Sequence, residues 1–105
     1  MDERTTLSRD EALDLVRQYK HIIAKHFSQE PRVLMFGSYS KVTANRYSDI
    51  DVAVVVPSYG DRKLELSKAL WHDVDEVSLL IEPVLMSADH PSPLYDDVMR
   101  TGIAV

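Results

Sequence analysis

Apolar and polar residues alternate along this chain with two periods, and each change of period marks a new element. Ala12, Leu13, Val16, Tyr19, Ile23 and Phe27 recur at helical spacing and make one apolar stripe. Ser8-Arg9-Asp10-Glu11 precedes that stripe as a capping box, in which Ser8 caps and Glu11 reaches back. Pro31 stops any helix here, and Arg32 to Phe36 reads as a short buried strand. Gly37 permits a tight turn, Tyr39 to Ala44 has room for one or two helical turns, and Thr43 to Ser48 is polar and loop-like. Asp49 to Val56 is the strongest strand, too apolar on both faces to lie at the surface. Pro57-Ser58-Tyr59-Gly60 closes it. Arg62 to about Val74 is helical, with Leu64, Leu66, Ala69, Leu70 and Val74 apolar. Ser78 to Ser87 reads as a third strand, and Pro83 within it marks an edge position. Ser92-Pro93 is a cap followed by proline at the first helical position, and that helix runs to Arg100 before Gly102. The predicted order is α-β-(short α)-β-α-β-α.

Composition narrows what such a chain does. A length of 105 residues predicts one domain, 1–105, with one core and no second substrate-binding domain. With 45% hydrophobic and 28% charged residues the chain has the composition of a folded globule, not of a disordered segment. The absence of cysteine excludes a disulfide framework and a thiolate zinc site. Met1-Asp2-Glu3-Arg4 leads into polar residues, unlike a signal peptide, and no apolar run approaches the roughly 18 residues of a membrane span. A cytoplasmic location without membrane contact is the expectation. The formal net charge of −5, with 12 scattered basic residues, argues against nonspecific nucleic-acid binding. A polyanion bound here is therefore small, held by a metal and a few donors.

The chemistry concentrates between residues 36 and 56. Phe36-Gly37-Ser38-Tyr39-Ser40-Lys41 makes a Gly-Ser turn after one strand, and Ser48-Asp49-Ile50-Asp51 opens the next. Side chains alternate across a strand, so Asp49 and Asp51 point to the same face. Two like charges bordering an apolar strand are costly unless a cation neutralises them. A divalent metal beside a serine-bearing turn suggests a phosphate ligand and a nucleotidyl-transfer site.

A Gly37-Ser38 turn about ten residues before Ser48-Asp49-Ile50-Asp51 resembles the signature of the polymerase-β-like nucleotidyltransferase superfamily. The size and element order look like its minimal nucleotidyltransferase (MNT) members, over nearly the whole chain. That resemblance implies an α/β (α+β) nucleotidyltransferase fold with a small mixed β-sheet flanked by helices. It implies that Asp49 and Asp51 bind Mg²⁺, that Gly37 and Ser38 hold the β- and γ-phosphates, and that a third carboxylate on a later strand completes the site. Glu82 is the natural third acid, sharing a face with Val84 and Met86. Two Mg²⁺ ions and ATP as substrate follow from the resemblance, and Lys41 is a counter-charge for departing pyrophosphate. The family often carries Gly-Ser-x-Ala-Arg-Gly. Here Ser40 stands for the alanine, Lys41 keeps the positive charge, and Val42 replaces the glycine. Many MNT proteins are antitoxins encoded beside HEPN-domain toxins, so the resemblance also implies AMP transfer to such a toxin and a homo- or hetero-oligomer. A contact-only antitoxin with weak catalysis and a transferase for a small hydroxylated acceptor are the alternative readings.

Other residues carry blander expectations. Asp73, Asp75 and Glu76 rival Glu82 but read as a solvated helix end and turn. His21 and His26 lack the i, i+4 spacing of a metal pair, and His72 and His90 are isolated. Trp71 reads as core or as partner surface. Tyr39 and Tyr47 flank the site, where they either stack on a base or cover the loop.

Overall fold

The computed structural model describes residues 7–40 and 49–105. Helix α1 (Arg9–Ile23) starts at the capping box: Ser8 Oγ accepts from the Glu11 amide at 3.0 Å, and Glu11 Oε1 accepts from the Ser8 amide at 2.9 Å. A 3-10 turn (Ala24–His26) finishes the helical run, so Phe27 lies just beyond it. Strand β1 (Arg32–Phe36), a 3-10 turn (Gly37–Tyr39) and β2 (Ile50–Val56) follow. Helix α2 (Lys63–Asp73), a 3-10 turn (Val74–Glu76), β3 (Ile81–Ser87), α3 (Pro93–Thr101) and β4 (Ile103–Ala104) complete the order.

The sheet is mixed, in the order β3-β2-β1-β4. β1 runs antiparallel to β2 and β4, while β2 and β3 are parallel. β2 is thus flanked on both edges and covered on both faces, which explains its unbroken apolar run. Its Ile50, Val52, Val54 and Val56 face the larger core, with Val33 and Met35 of β1 and Ala12, Val16, Tyr19 and Ile23 of α1. Leu66 and Leu70 of α2 close that layer. On the opposite face Ala53 and Val55 pack with Leu34, Met86 and Val98 of α3. The architecture is the expected α/β one, among the described residues a four-stranded mixed sheet flanked by three helices.

Pro83 lies on an edge strand, as its sequence position predicts. Leu80 O accepts from Ile50 N at 2.7 Å, and Ala88 N donates to Val56 O at 2.9 Å, so the even-numbered residues of β3 direct their backbone groups to β2. Pro83 faces outward, where its missing N–H breaks no ladder bond.

Several boundaries move. β2 begins at Ile50, leaving Asp49 just ahead of it. β3 begins at Ile81 instead of Ser78, because Ser78 is held in a turn: its amide bonds to Val74 O, its carbonyl accepts from Ile81 N and its hydroxyl from Leu80 N. A 3-10 turn occupies Gly37–Tyr39, and most of the helical turn expected over Tyr39 to Ala44, from Lys41 onward, lies outside the described residues. β4 was not expected at all. Gly102 enables it, since a Cβ there would lie 2.6 Å from Val98 O and 3.4 Å from Leu34 Cβ as the chain leaves α3.

Asp73 corrects the expectation of a solvated helix end. It is 2% exposed, and its Oδ2 accepts from His26 Nε2 at 2.7 Å. Lys25 Nζ stands 4.0 Å from Oδ1. Beside it the fully buried Tyr19 donates its hydroxyl hydrogen to Leu70 O at 2.6 Å, joining α1 to α2. Burial, then the charge of Asp73, raise the Tyr19 hydroxyl far above its usual range, so it stays protonated and keeps the hydrogen it donates. Among the described residues, no helix is long and apolar enough to cross a membrane. Tyr19→Phe removes the buried bond to the Leu70 carbonyl and is expected to cost about 1–2 kcal/mol in urea unfolding, with an unchanged m-value.

Candidate active site

The site begins where β1 stops. Phe36 pairs with Asp51 in the antiparallel register, so the next residue, Gly37, turns directly over the Asp51 side chain. Gly37 has φ +73°, and a Cβ on it would collide with Asp51 Oδ2 and lie 3.1 Å from Cγ. Only glycine meets both demands. The turn is held internally by Ser40, whose amide and hydroxyl both donate to Gly37 O, at 3.1 and 2.9 Å. Ser38 sits at its centre.

Tyr39 is 3% exposed and packs into the larger core. It covers the turn from inside and does not stack on a base, which settles one of its two expected roles. Lys41, Val42 and Tyr47 lie outside the described residues.

The register between β2 and β3 sets Asp51 directly beside Glu82. Both continue rows of the α3 face, Asp51 below Ala53 and Val55, Glu82 below Val84 and Met86. Asp51 is half-buried, whereas Asp49 and Glu82 are exposed. Desolvation, then the charge of Asp49, raise the Asp51 carboxyl above the ordinary range, and a hydrogen bond from Glu82 partly opposes them. The Glu82 carboxyl is also raised, by desolvation, then by the charge of Asp49 and a hydrogen bond to it, then by the same two effects of Asp51. Both carboxyls therefore hold a proton more firmly than an isolated acid would, each because of the others. The sequence-predicted acids therefore come together.

The donor set fits a hard divalent cation: three carboxylates, no nitrogen or sulfur, each disfavouring the charge of the next. Among the described residues no group of three or more His, Asp or Glu side chains stands ready in ligating geometry. The acids hydrogen-bond to one another instead. A shared proton and a cation relieve the same repulsion, so the two observations agree.

Arg9 was not foreseen. Its Nε donates to Tyr39 O at 3.1 Å and its Nη2 to Ser40 O at 3.0 Å, clamping the far end of the turn. Its sequence signal is only that of an arginine after a capping serine. The expected rivals of Glu82 are placed elsewhere, Asp73 with His26 and Glu76 within 3.8 Å of Lys25.

Comparison with known proteins bears on the family and the fold. The Nucleotidyltransferase domain family matches residues 16–93, a span that includes Gly37, Asp51 and Glu82. A protein of Methanocaldococcus jannaschii named "Putative protein adenylyltransferase" is 23% identical over 99 residues, covering 90% of this chain and 99% of that protein. The crystal structure of a "putative nucleotidyltransferase" from Sulfolobus solfataricus superposes with a TM-score of 0.67 over 91% of this chain and 80% of that one, at 14% identity. That likeness shows the nucleotidyltransferase fold.

Two predictions follow from the geometry. Gly37→Ala is expected to destabilise the protein by about 1–3 kcal/mol in denaturant unfolding, through positive φ and the overlap with Asp51. Because Asp51 and Glu82 bind protons more tightly folded than unfolded, their contribution to stability is complete below the ordinary carboxylate range and is lost as pH rises through their folded values. In metal-free buffer Asp51→Asn should therefore flatten the fall in Tm between about pH 4 and pH 7. It should raise Tm at neutral pH by a few degrees at most, given solvent screening.

Proposed function

The chain belongs to the nucleotidyltransferase domain family, of the polymerase-β-like type, and we propose that it transfers AMP from ATP to a hydroxyl of a partner protein in a Mg²⁺-dependent reaction. The observation that carries this reading is the Asp51–Glu82 pair, set side by side by strand register against the Gly37 turn. Asp49, Asp51 and Glu82 would hold the cation. When bound, Mg²⁺ supplies positive charge to the oxygens that gain negative charge at the transition state.

The protein's own groups do the rest. Gly37 brings backbone close to the triphosphate, and Ser38 offers a hydroxyl and an amide to its β- and γ-phosphates. The acceptor oxygen bonds to the α-phosphorus as the bond from that phosphorus to the bridging oxygen breaks, and pyrophosphate leaves. Glu82, the exposed acid beside Asp51 in the strand register, takes the hydroxyl proton. Lys41 balances the charge on pyrophosphate.

A protein acceptor is supported by the openness of the site, whose Asp49 and Glu82 are exposed. The name of the Methanocaldococcus jannaschii relative points the same way. With the MNT resemblance, the acceptor is a HEPN-type toxin and this chain its antitoxin. Incubation with α-labelled ATP, Mg²⁺ and the protein of the adjacent reading frame should label that protein. Asp49→Asn and Asp51→Asn should each cut the labelling at least about 100-fold. Undiminished labelling by both folded variants would overturn the proposal.

A further inference from the structure

We propose that Arg9 is a positioning residue for nucleotide binding: its guanidinium, fixed on α1, holds the Tyr39 and Ser40 carbonyls and so keeps the Gly37–Ser38 backbone in its receiving shape. The inference rests on the reading of Gly37 and Ser38 as the phosphate-holding turn.

One planar group donates to two consecutive carbonyls, 3.1 Å to Tyr39 O and 3.0 Å to Ser40 O. A charged fork of this kind fixes direction as well as distance, which a lysine ammonium does not. The carbonyls are those of Tyr39, the last residue of the 3-10 turn, and of Ser40, which caps it, positions where a helical turn leaves its carbonyls in need of partners. Arg9 is itself the first residue of α1, pinned between the two bonds of the Ser8–Glu11 capping box. Holding an exposed arginine in one geometry costs side-chain entropy. Helix α1 does not need this tie for its own anchorage, because Val16, Tyr19 and Ile23 are fully buried in the core. For the turn it is a tie from outside, added to the internal bonds from Ser40 to Gly37 O. The turn's first residue is set by the contact with Asp51, and its last by Tyr39 packing and Arg9.

The test compares Arg9→Ala, Arg9→Lys and Ser38→Ala, each checked for folding by circular dichroism. Arg9→Ala should raise KM for ATP about tenfold while kcat changes less than about twofold, the loss of two charge-assisted bonds to a partly exposed turn. Arg9→Lys should recover part of that loss. In nucleotide-free protein, hydrogen exchange at the Ser40 amide should speed up at least about tenfold in Arg9→Ala, with β2 amides unchanged. An unchanged KM in folded Arg9→Ala overturns the inference, whether or not Ser40 exchange changes. If Ser38→Ala raises KM and Arg9→Ala does not, this inference alone fails. If Ser38→Ala also leaves KM unchanged, the phosphate-turn reading fails with it.

Discussion

The contact between Gly37 and Asp51 leaves no room for a methyl group, and the rest of the site is arranged around that shortage of space. Phe36 and Asp51 are paired residues, so the chain leaving β1 has to pass over the carboxylate. It does so with the backbone bare and left-handed. A clearance this small requires β2 to be held still. Strands on both edges and core on both faces accomplish that, and the burial of its valines and isoleucine offsets the cost of ending the strand in negative charge.

The two faces of the sheet divide the work. The face under α1 and α2 holds most of the apolar volume and a satisfied polar tie, with Tyr19 on Leu70 and Asp73 on His26. The α3 face has a smaller core that gives way to Asp51 and Glu82 along the same rows. The carboxyls thus border an apolar layer while opening to water at the sheet end, and desolvation there together with their mutual repulsion holds Asp51 and Glu82 above the ordinary carboxylate range.

What the sequence disclosed was local or periodic. The capping box, the doubly buried β2, the outward-facing Pro83 and the Gly37 turn all follow from neighbours within a few residues. Asp51 and Glu82 were recognisable as partners because strand alternation assigns each a face and the family pattern assigns a need. What stayed hidden depends on residues far apart. β4 has two residues and owes its existence to pairing with Leu34 and Met35. Asp73 is buried because His26 reaches it from 47 positions away, and Arg9 finds its carbonyls 30 and 31 positions on. Tyr39 has no local signal to say whether a turn aromatic faces the core or the solvent. Periodicity cannot encode such pairings, because each requires the fold before the contact exists.

The parallel pairing of β2 with β3 also has a meaning in time. Parallel strands need a crossover, here α2 and the turn after it, before the second strand reaches the first. A chain emerging from the ribosome completes β1, the glycine turn and β2 while Glu82 is still unmade. At that stage β2 has a bare edge and Asp51 has no neighbouring acid across the ladder. Slippage by one residue when β3 arrives would send Glu82 into the hydrophobic layer under α2, so the core itself rejects the wrong alignment. The acidic cluster consequently matures only when β3 docks on β2, with α3 and β4 still to follow. Chains that stop short of β3 carry two of the three acids, Asp49 and Asp51, without the register that sets Glu82 beside them.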